Sequence, residues 1–313
     1  MKWNKTYKFC FKAGGILLKR DKSIWSSGKG IILILPGIIL FFSFFLYPII
    51  YSVNMSMTNV SFFNLIKGPE FIGLSHYKDL ILKAEFFLPL IRTGAFITTS
   101  IPLKIFIALL LSVLFNSKFV KFKQILYPTI LIPWAIPWFL SVMVWRGMFN
   151  VDFGIINQAL KVIGLPPVNW LNGIWSAFLS YNIVEVWLTY PFIMSVIISA
   201  MQSIPVEFYE LAKMDGASPW TIFRHVTIPM IKKSLIWVSL IQVIASYMIF
   251  GVPFLLNRGG PAGSNEFLMI YGYQKAFSQG RYGYASAFMI IVFIILSILV
   301  LLYSKFTKLT EEE

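Results

Sequence analysis

Reactive side chains are scarce in this chain, and each shortage removes a class of function. A single cysteine, Cys10, excludes an intramolecular disulfide and any metal cluster built on cysteine. Only two histidines are present, His76 and His225, so a zinc-binding HExxH helix is excluded. No GxxxxGK[ST] phosphate loop occurs and no nucleophile–base pairing suggests itself. The chain is therefore expected neither to bind ATP by that route nor to act as an enzyme by itself. Charge is sparse too: 13% of residues are charged, with 13 acids against 27 bases. What fills the chain is apolar. Hydrophobic residues make up 58%, phenylalanine alone supplies 30, and the mean hydropathy is +0.75. Several runs reach the ~20 apolar residues that cross a ~30 Å hydrocarbon layer, so the class is an all-α polytopic membrane protein.

Six spans follow, at roughly Gly30–Ser52, Phe87–Phe115, Ile125–Met148, Ile174–Met201, Ser234–Leu256 and Tyr284–Tyr303. None shows the alternation of a barrel strand, so each reads as a helix that satisfies its own backbone. The net charge of +14 does not gather on a face for nucleic acid, because Lys and Arg collect near the ends of apolar runs. With both termini in the cytoplasm, the inner segments hold 17 Lys and Arg and the outer loops hold 7. A basic arm over residues 1–29 precedes an apolar run of span length, which argues against a cleaved signal peptide. The domain plan is that arm, a six-helix domain over 30–304 and a tail over 305–313. Tyr47, Trp134, Trp138 and Tyr303 stand at span ends, where aromatic belts form. In the outer loops, Glu70–Lys83 and Gly154–Leu165 have the spacing of short amphipathic helices, lying flat on the membrane or capping the bundle.

One loop differs from the rest. Between the fourth and fifth spans, residues 203–231 are polar and carry helix signals twice over. Ser203 reads as an N-cap with Pro205 in the first turn, and Glu207 and Glu210 suit the positive helix start. Gly216 permits a sharp exit after about Met214, and Ser218-Pro219 repeats the start signal for a second helix that ends before Pro229. Two short cytoplasmic helices hinged at Gly216 are expected. The small Ala212 and Ala217 beside the hinge permit close approach by a partner; packing on the protein's own bundle is the other reading.

This loop resembles the EAA loop of binding-protein-dependent ABC importer permeases. That pattern is Glu-Ala-Ala, three residues, Gly, nine residues, Ile, one residue, Leu-Pro; here stand Glu210-Leu211-Ala212, Gly216 and Val226-Thr227-Ile228-Pro229 at the same spacing. Pro48–Ser56, Phe71-Ile72-Gly73-Leu74 with Tyr77, Trp145-Arg146, Tyr190-Pro191-Phe192, Asp215-Gly216-Ala217 and Gly259-Gly260-Pro261 are similar to the sugar-type branch around the maltose permease subunit. Arg92-Thr93 departs from that branch's Asn-Thr, and the large outer insertion of the enterobacterial subunit is absent. The resemblance implies a type I importer permease in the cell membrane, with a cytoplasmic coupling helix, a sugar or oligosaccharide as cargo and no cofactor of its own. It also implies partners: a second homologous permease, two cytoplasmic ATPase subunits that bind the ATP, and an extracytoplasmic sugar-binding protein. Coupling would fall to Glu207, Glu210, Leu211, Ala212, Asp215, Gly216 and Ala217. Sugar-lining positions, aligned through Tyr190-Pro191 and Gly259-Gly260-Pro261, would fall near Glu185, Leu188, Thr189 and Phe192 on the fourth span. On the fifth they would fall near Ser246, Tyr247 and Ile249.

Charge inside a span is expensive and marks function. Lys104 lies mid-way along the second span and Glu185 mid-way along the fourth. Either Glu185 accepts hydrogen bonds from cargo hydroxyls, or it pairs with Lys104 and locks two helices; the two roles are compatible. The rival is an ion-coupled secondary transporter with Glu185 as the coupling carboxylate. That architecture expects inverted repeats, which are not evident, and it leaves the 203–231 helix pair without a role.

Overall fold

The computed structural model describes residues 29–82, 84–117 and 120–309. Cys10 and the rest of the arm before Lys29, together with Lys83, Lys118 and the last residues of the tail, lie outside them. By contacts the chain divides into residues 1–51 and residues 52–313. The first unit contains α1 (Lys29–Phe41), a π-helical turn (Phe42–Leu46) and the start of α2 (Tyr47–Ser56). In the second, a surface segment leads through α3 (Ser75–Leu82) to the long α4 (Ala84–Asn116). There follow α5 (Lys123–Ala135), α6 (Trp138–Met148), α7 (Ile155–Val162) and the long α8 (Ile174–Gln202). Then come α9 (Val206–Met214), α10 (Pro219–Ile222), a π-helical turn (Phe223–Thr227) and α11 (Ile228–Tyr247). Finally, α12 (Gly251–Asn257), α13 (Leu268–Tyr273), a π-helical turn (Gln274–Ser278) and α14 (Tyr282–Leu309) complete the chain.

Five helical stretches are long and apolar enough to cross a membrane, and a bent pair makes a sixth if its two arms are counted as one. The expected six-span plan therefore holds, with three corrections. The third span is not straight: α5 and α6 meet at 87°. Pro137 forces the residue before it out of helical geometry, and Ile136 is extended with φ −74° and ψ 137°. The fifth span starts earlier and stops sooner than expected. It runs from Pro219 to Tyr247, then breaks at Met248–Phe250 before α12. Nor does Pro229 end the second loop helix. The preceding π-helical turn lets Ile228 N–H reach Phe223 O, which moves the carbonyl ladder aside where proline would clash with it and supply no donor. The same device stands before Pro48, where Tyr47 N–H bonds Phe42 O.

The centre of the second unit is the seam between α4 and α8, on which α11 packs. Polar side chains cross it at three levels. Thr99 Oγ1 donates to Asn182 Oδ1 (3.3 Å), Lys104 meets Glu185, and Ser112 Oγ reaches Met194 O (3.4 Å). In lipid such bonds hold helices together where hydrophobic burial gives little contrast. Both expected loop helices form, in shorter versions. Around α7, buried Asn157 exchanges hydrogen bonds with Val168 N and O (3.0 Å each) and accepts from Trp170 Nε1 (3.0 Å), so this helix caps the bundle through Ile156. Ile155 and Val162 stay exposed.

The segment before α3 is laced to the start of α14. Phe62 N donates to Gly280 O (2.8 Å), Gly283 N donates to Val60 O (2.9 Å), and Ser56 Oγ bonds Tyr77 OH (2.7 Å). His76 closes this strap: Nε2, 3.1 Å from Thr58 O, must carry the proton because a carbonyl only accepts. Its ring meets the edge of Tyr284, on which Arg281 also lies. Burial first, and the Arg281 charge second, push the His76 pKa below 6.5, against the opposing pull of Thr58 and Asp79. The folded state thus binds fewer protons than the unfolded state, so this contribution to stability is complete above pH 6.5 and fades as pH falls below it. Melting curves in detergent between pH 8 and pH 5 are expected to show a loss of Tm on the acid side that His76→Gln reduces. Equal pH dependence in wild type and variant would contradict this.

Candidate functional site

At the middle of the bundle Lys104 Nζ lies 3.0 Å from Glu185 Oε2 and 3.2 Å from Ser246 Oγ, joining α4, α8 and α11. Lys104 is fully buried, while the Glu185 side chain keeps 15% of its surface. That remaining surface faces a cavity of about 670 Å³. Its wall is built from two helix breaks and two helix faces. Trp134 and Trp138 flank the α5–α6 bend, and Met248 to Val252 span the break after α11 and the start of α12. α8 contributes Glu185, Leu188, Thr189 and Phe192 at i, i+3, i+4 spacing, and α11 contributes Ile241, Gln242 and Ala245.

The chemistry of this wall is mixed. The Trp134 and Phe192 rings stack at 6.2 Å with 29° between planes. Thr189 Oγ1 donates to Glu185 O (2.6 Å), which leaves its oxygen free to accept. Gln242 is 3% exposed, and its Oε1 has no hydrogen-bond partner. A buried acceptor without a donor costs about 1–3 kcal/mol, so this amide is a group waiting for one. The bend and the break fit against each other at Gly251. A Cβ there would stand 2.4 Å from Trp138 Cζ3, so only glycine lets the indole lie on the backbone.

Beyond the C-terminal end of α8 lies the hinged pair. α9 buries none of its residues. Its C-terminus closes with Asp215 N to Leu211 O (3.0 Å) and Ala217 N to Ala212 O (3.0 Å), and Gly216 turns at φ +73°. Ser218 caps α10, its Oγ accepting from Thr221 N (3.2 Å), and Pro219 follows at the first position. Ser203 does not cap α9 as expected. It ends α8 instead, its hydroxyl donating to Ala200 O (2.8 Å), and Pro205 stands at the α9 start. Phe208, Leu211, Met214 and Trp220 are all exposed on this pair.

The family described as binding-protein-dependent transport system inner membrane component matches residues 91–307, which contain both the cavity and the hinged loop. The chain belongs to that family. It is an ABC-transporter permease subunit and a multi-pass membrane protein. The permease is 30% identical over 277 residues to the trehalose/maltose transport system permease protein MalF of Thermococcus litoralis, covering 88% of this chain and 92% of that one. It is 26% identical over 310 residues to the galactooligosaccharides transport system permease protein GanP of Bacillus subtilis, covering 95% of this chain and 74% of the relative. Among solved structures it resembles a bacterial alginate ABC transporter in complex with an alginate pentasaccharide-bound periplasmic protein. There the TM-score is 0.75 at 22% identity, over 90% of this chain and 94% of that one, which speaks to the fold.

Of the expected pocket residues, the permease brings Glu185, Leu188, Thr189, Phe192 and Ile249 to one cavity. The other two point elsewhere: Ser246 is buried against Lys104, and Tyr247 donates its hydroxyl to Val292 O (3.0 Å). Trp134, Trp138, Gln242 and Phe250 line the cavity without having been expected there. The two tryptophans read as belt residues, although both stand mid-way along the expected third span, and Pro133 and Pro137 around them are an ambiguous signal of a break. Gln242 also had a signal, as an amide in an otherwise apolar run. Replacing it with leucine removes the unpartnered acceptor at similar volume, so Gln242→Leu is expected to leave Tm unchanged or raise it by a few degrees. A clear drop in Tm would show that the amide is bonded within the fold.

Proposed function

We propose that this permease is one of two homologous membrane halves of an ATP-driven importer for a sugar or oligosaccharide. The observation that carries the reading is the cavity: stacked aromatic faces beside an anchored carboxylate and a hydroxyl oxygen free to accept. Sugars offer apolar ring faces and hydroxyl donors, and Trp134 with Phe192, Glu185 and Thr189 answer both. The named cargoes of the relatives, trehalose/maltose and galactooligosaccharides, agree in class.

The charge bias of 17 against 7 supports placing both termini and residues 203–231 in the cytoplasm. There the exposed pair α9–α10 serves as the coupling helix for an ATPase subunit, with Glu207, Glu210, Leu211, Ala212, Asp215, Gly216 and Ala217 as its contact and hinge residues. Energy enters from two such ATPases, since the sequence has no phosphate loop. Cargo arrives on an extracytoplasmic binding protein. Closure of the ATPases draws two coupling helices together and turns the cavity from one face of the membrane to the other. The ion-coupled alternative draws on Glu185 alone, and that carboxylate is already held by Lys104.

Proteoliposomes holding the full complex test this directly. Uptake of labelled maltose or trehalose is expected to require ATP and binding protein, and uptake driven by a proton gradient without ATP would overturn the reading. Gly216→Pro is expected to abolish coupled ATPase activity, because proline cannot adopt φ +73°, while leaving the cavity intact. Normal transport by that variant would sink the coupling role.

A further inference from the structure

At the opposite end of α8 from the hinged loop there is a second pocket, of about 520 Å³ and largely polar. Arg146, Arg258, Asn150, Asn172 and Asn257 supply its polar groups. Two of the three asparagine oxygens are already used. Asn257 Oδ1 accepts from the Tyr181 hydroxyl, and Asn150 Oδ1 accepts from the N–H groups of Asp152 (2.9 Å) and Phe153 (3.2 Å). The Asn257 amide also donates to Leu171 O (2.6 Å), which fixes the pocket floor. What is left over is mainly positive charge and donors, from Arg146 and Arg258. Neither guanidinium meets a carboxylate among the described residues, and both are exposed at the rim.

Each arginine ends a helix, Arg146 in the last turn of α6 and Arg258 at the cap of α12, where a cation is favoured. That effect does not explain the choice at the α12 cap. Arg258 has φ +58°, left-handed backbone where glycine is the default, so a long cation is kept there at a conformational cost of the same order as the dipole's gain. Strain of this kind clusters at binding sites.

We infer that this pocket receives an acidic side chain of the extracytoplasmic binding protein when it docks, the carboxylate being gripped by Arg146 and Arg258. The inference rests on the orientation given under Proposed function, which puts this end of the bundle outside. Guanidinium pairs match carboxylate geometry and are favoured at wet protein interfaces. An anion on the cargo fits less well. The one charged residue lining the intramembrane cavity is the carboxylate Glu185, so an anionic cargo would leave two cations to meet a negative charge. An acidic group on the docked protein stays outside. The grip is also mechanically placed: α6 and α12 pack on each other, beginning at the cavity with Trp138 and Gly251 and ending at the pocket with the two arginines. Docking therefore acts on two of the five helices that line the cavity.

The test is ATPase activity of the complete transporter in proteoliposomes, titrated with maltose- or trehalose-loaded cognate binding protein. For Arg146→Gln/Arg258→Gln the half-saturating concentration of binding protein is expected to rise about tenfold, with the rate at saturation unchanged. The gap is expected to narrow at 0.5 M salt, where exposed charges are screened. Arg146→Lys/Arg258→Lys, which keeps the charge, is expected to recover much of the affinity and so separates charge from folding. An unchanged half-saturation in the glutamine variant, or a fall only in the saturated rate, would overturn the inference. So would a shift confined to cargo affinity for an anionic sugar such as an alginate oligosaccharide. A wild-type complex that no binding protein stimulates would instead remove the proposed function itself.

Discussion

A lysine inside a membrane helix has to be answered by a partner, and the answer given to Lys104 organises this protein. With no surface left to solvent, its ammonium is held by Glu185 and Ser246. Breaking a buried pair of this kind leaves an uncompensated charge worth about 3–5 kcal/mol. Three helices far apart in sequence, α4, α8 and α11, are thereby pinned at one depth. Because the pair consumes only one oxygen of Glu185 and leaves part of its surface free, the same interaction that closes the bundle also presents an acceptor to the cavity.

The cavity exists because two helices stop where continuous ones would have filled the space. α5 ends at Ala135 and α11 at Tyr247, and each resumes after a break, as α6 and α12. Broken helices are tolerated at membrane depth only where the freed backbone is buried in protein or lines a cavity, which is what these two breaks do. Trp138 lying on Gly251 ties one break to the other. The hinged pair follows from α8, whose end delivers the chain to Pro205 and the Gly216 turn.

Much of this was legible in the amino-acid order. The apolar runs gave the crossings, and Gly216 and Ser218-Pro219 gave the hinge and the second helix start, because turn and cap chemistry is local. The breaks were not legible, because proline is an ambiguous signal in a membrane helix. Pro36, Pro89, Pro102, Pro128 and Pro191 all stand inside helices that continue, whereas Pro137 ends one. At Pro137 the bent pair is packed through Trp138 against Gly251, more than a hundred residues later, and no local rule reports that contact. The pocket set shows the same limit. Helical spacing put Glu185, Leu188, Thr189 and Phe192 on one face, and they do share the cavity wall, but Ser246, Tyr247 and Ile249 were aligned through the resemblance without a face, and within α11 Ser246 and Tyr247 point to Lys104 and Val292.

The most direct test of the ion pair as organiser is a double-mutant cycle on purified protein in detergent, reading thermal unfolding of Lys104→Met, Glu185→Gln and the double variant. The single variants are expected to lose several degrees of Tm or fail to accumulate, and the double variant to recover most of that loss. This gives a coupling at the upper end of the about 0.5–3 kcal/mol seen between contacting residues. Additive losses, with the double variant no better than the sum of the two, would contradict the account.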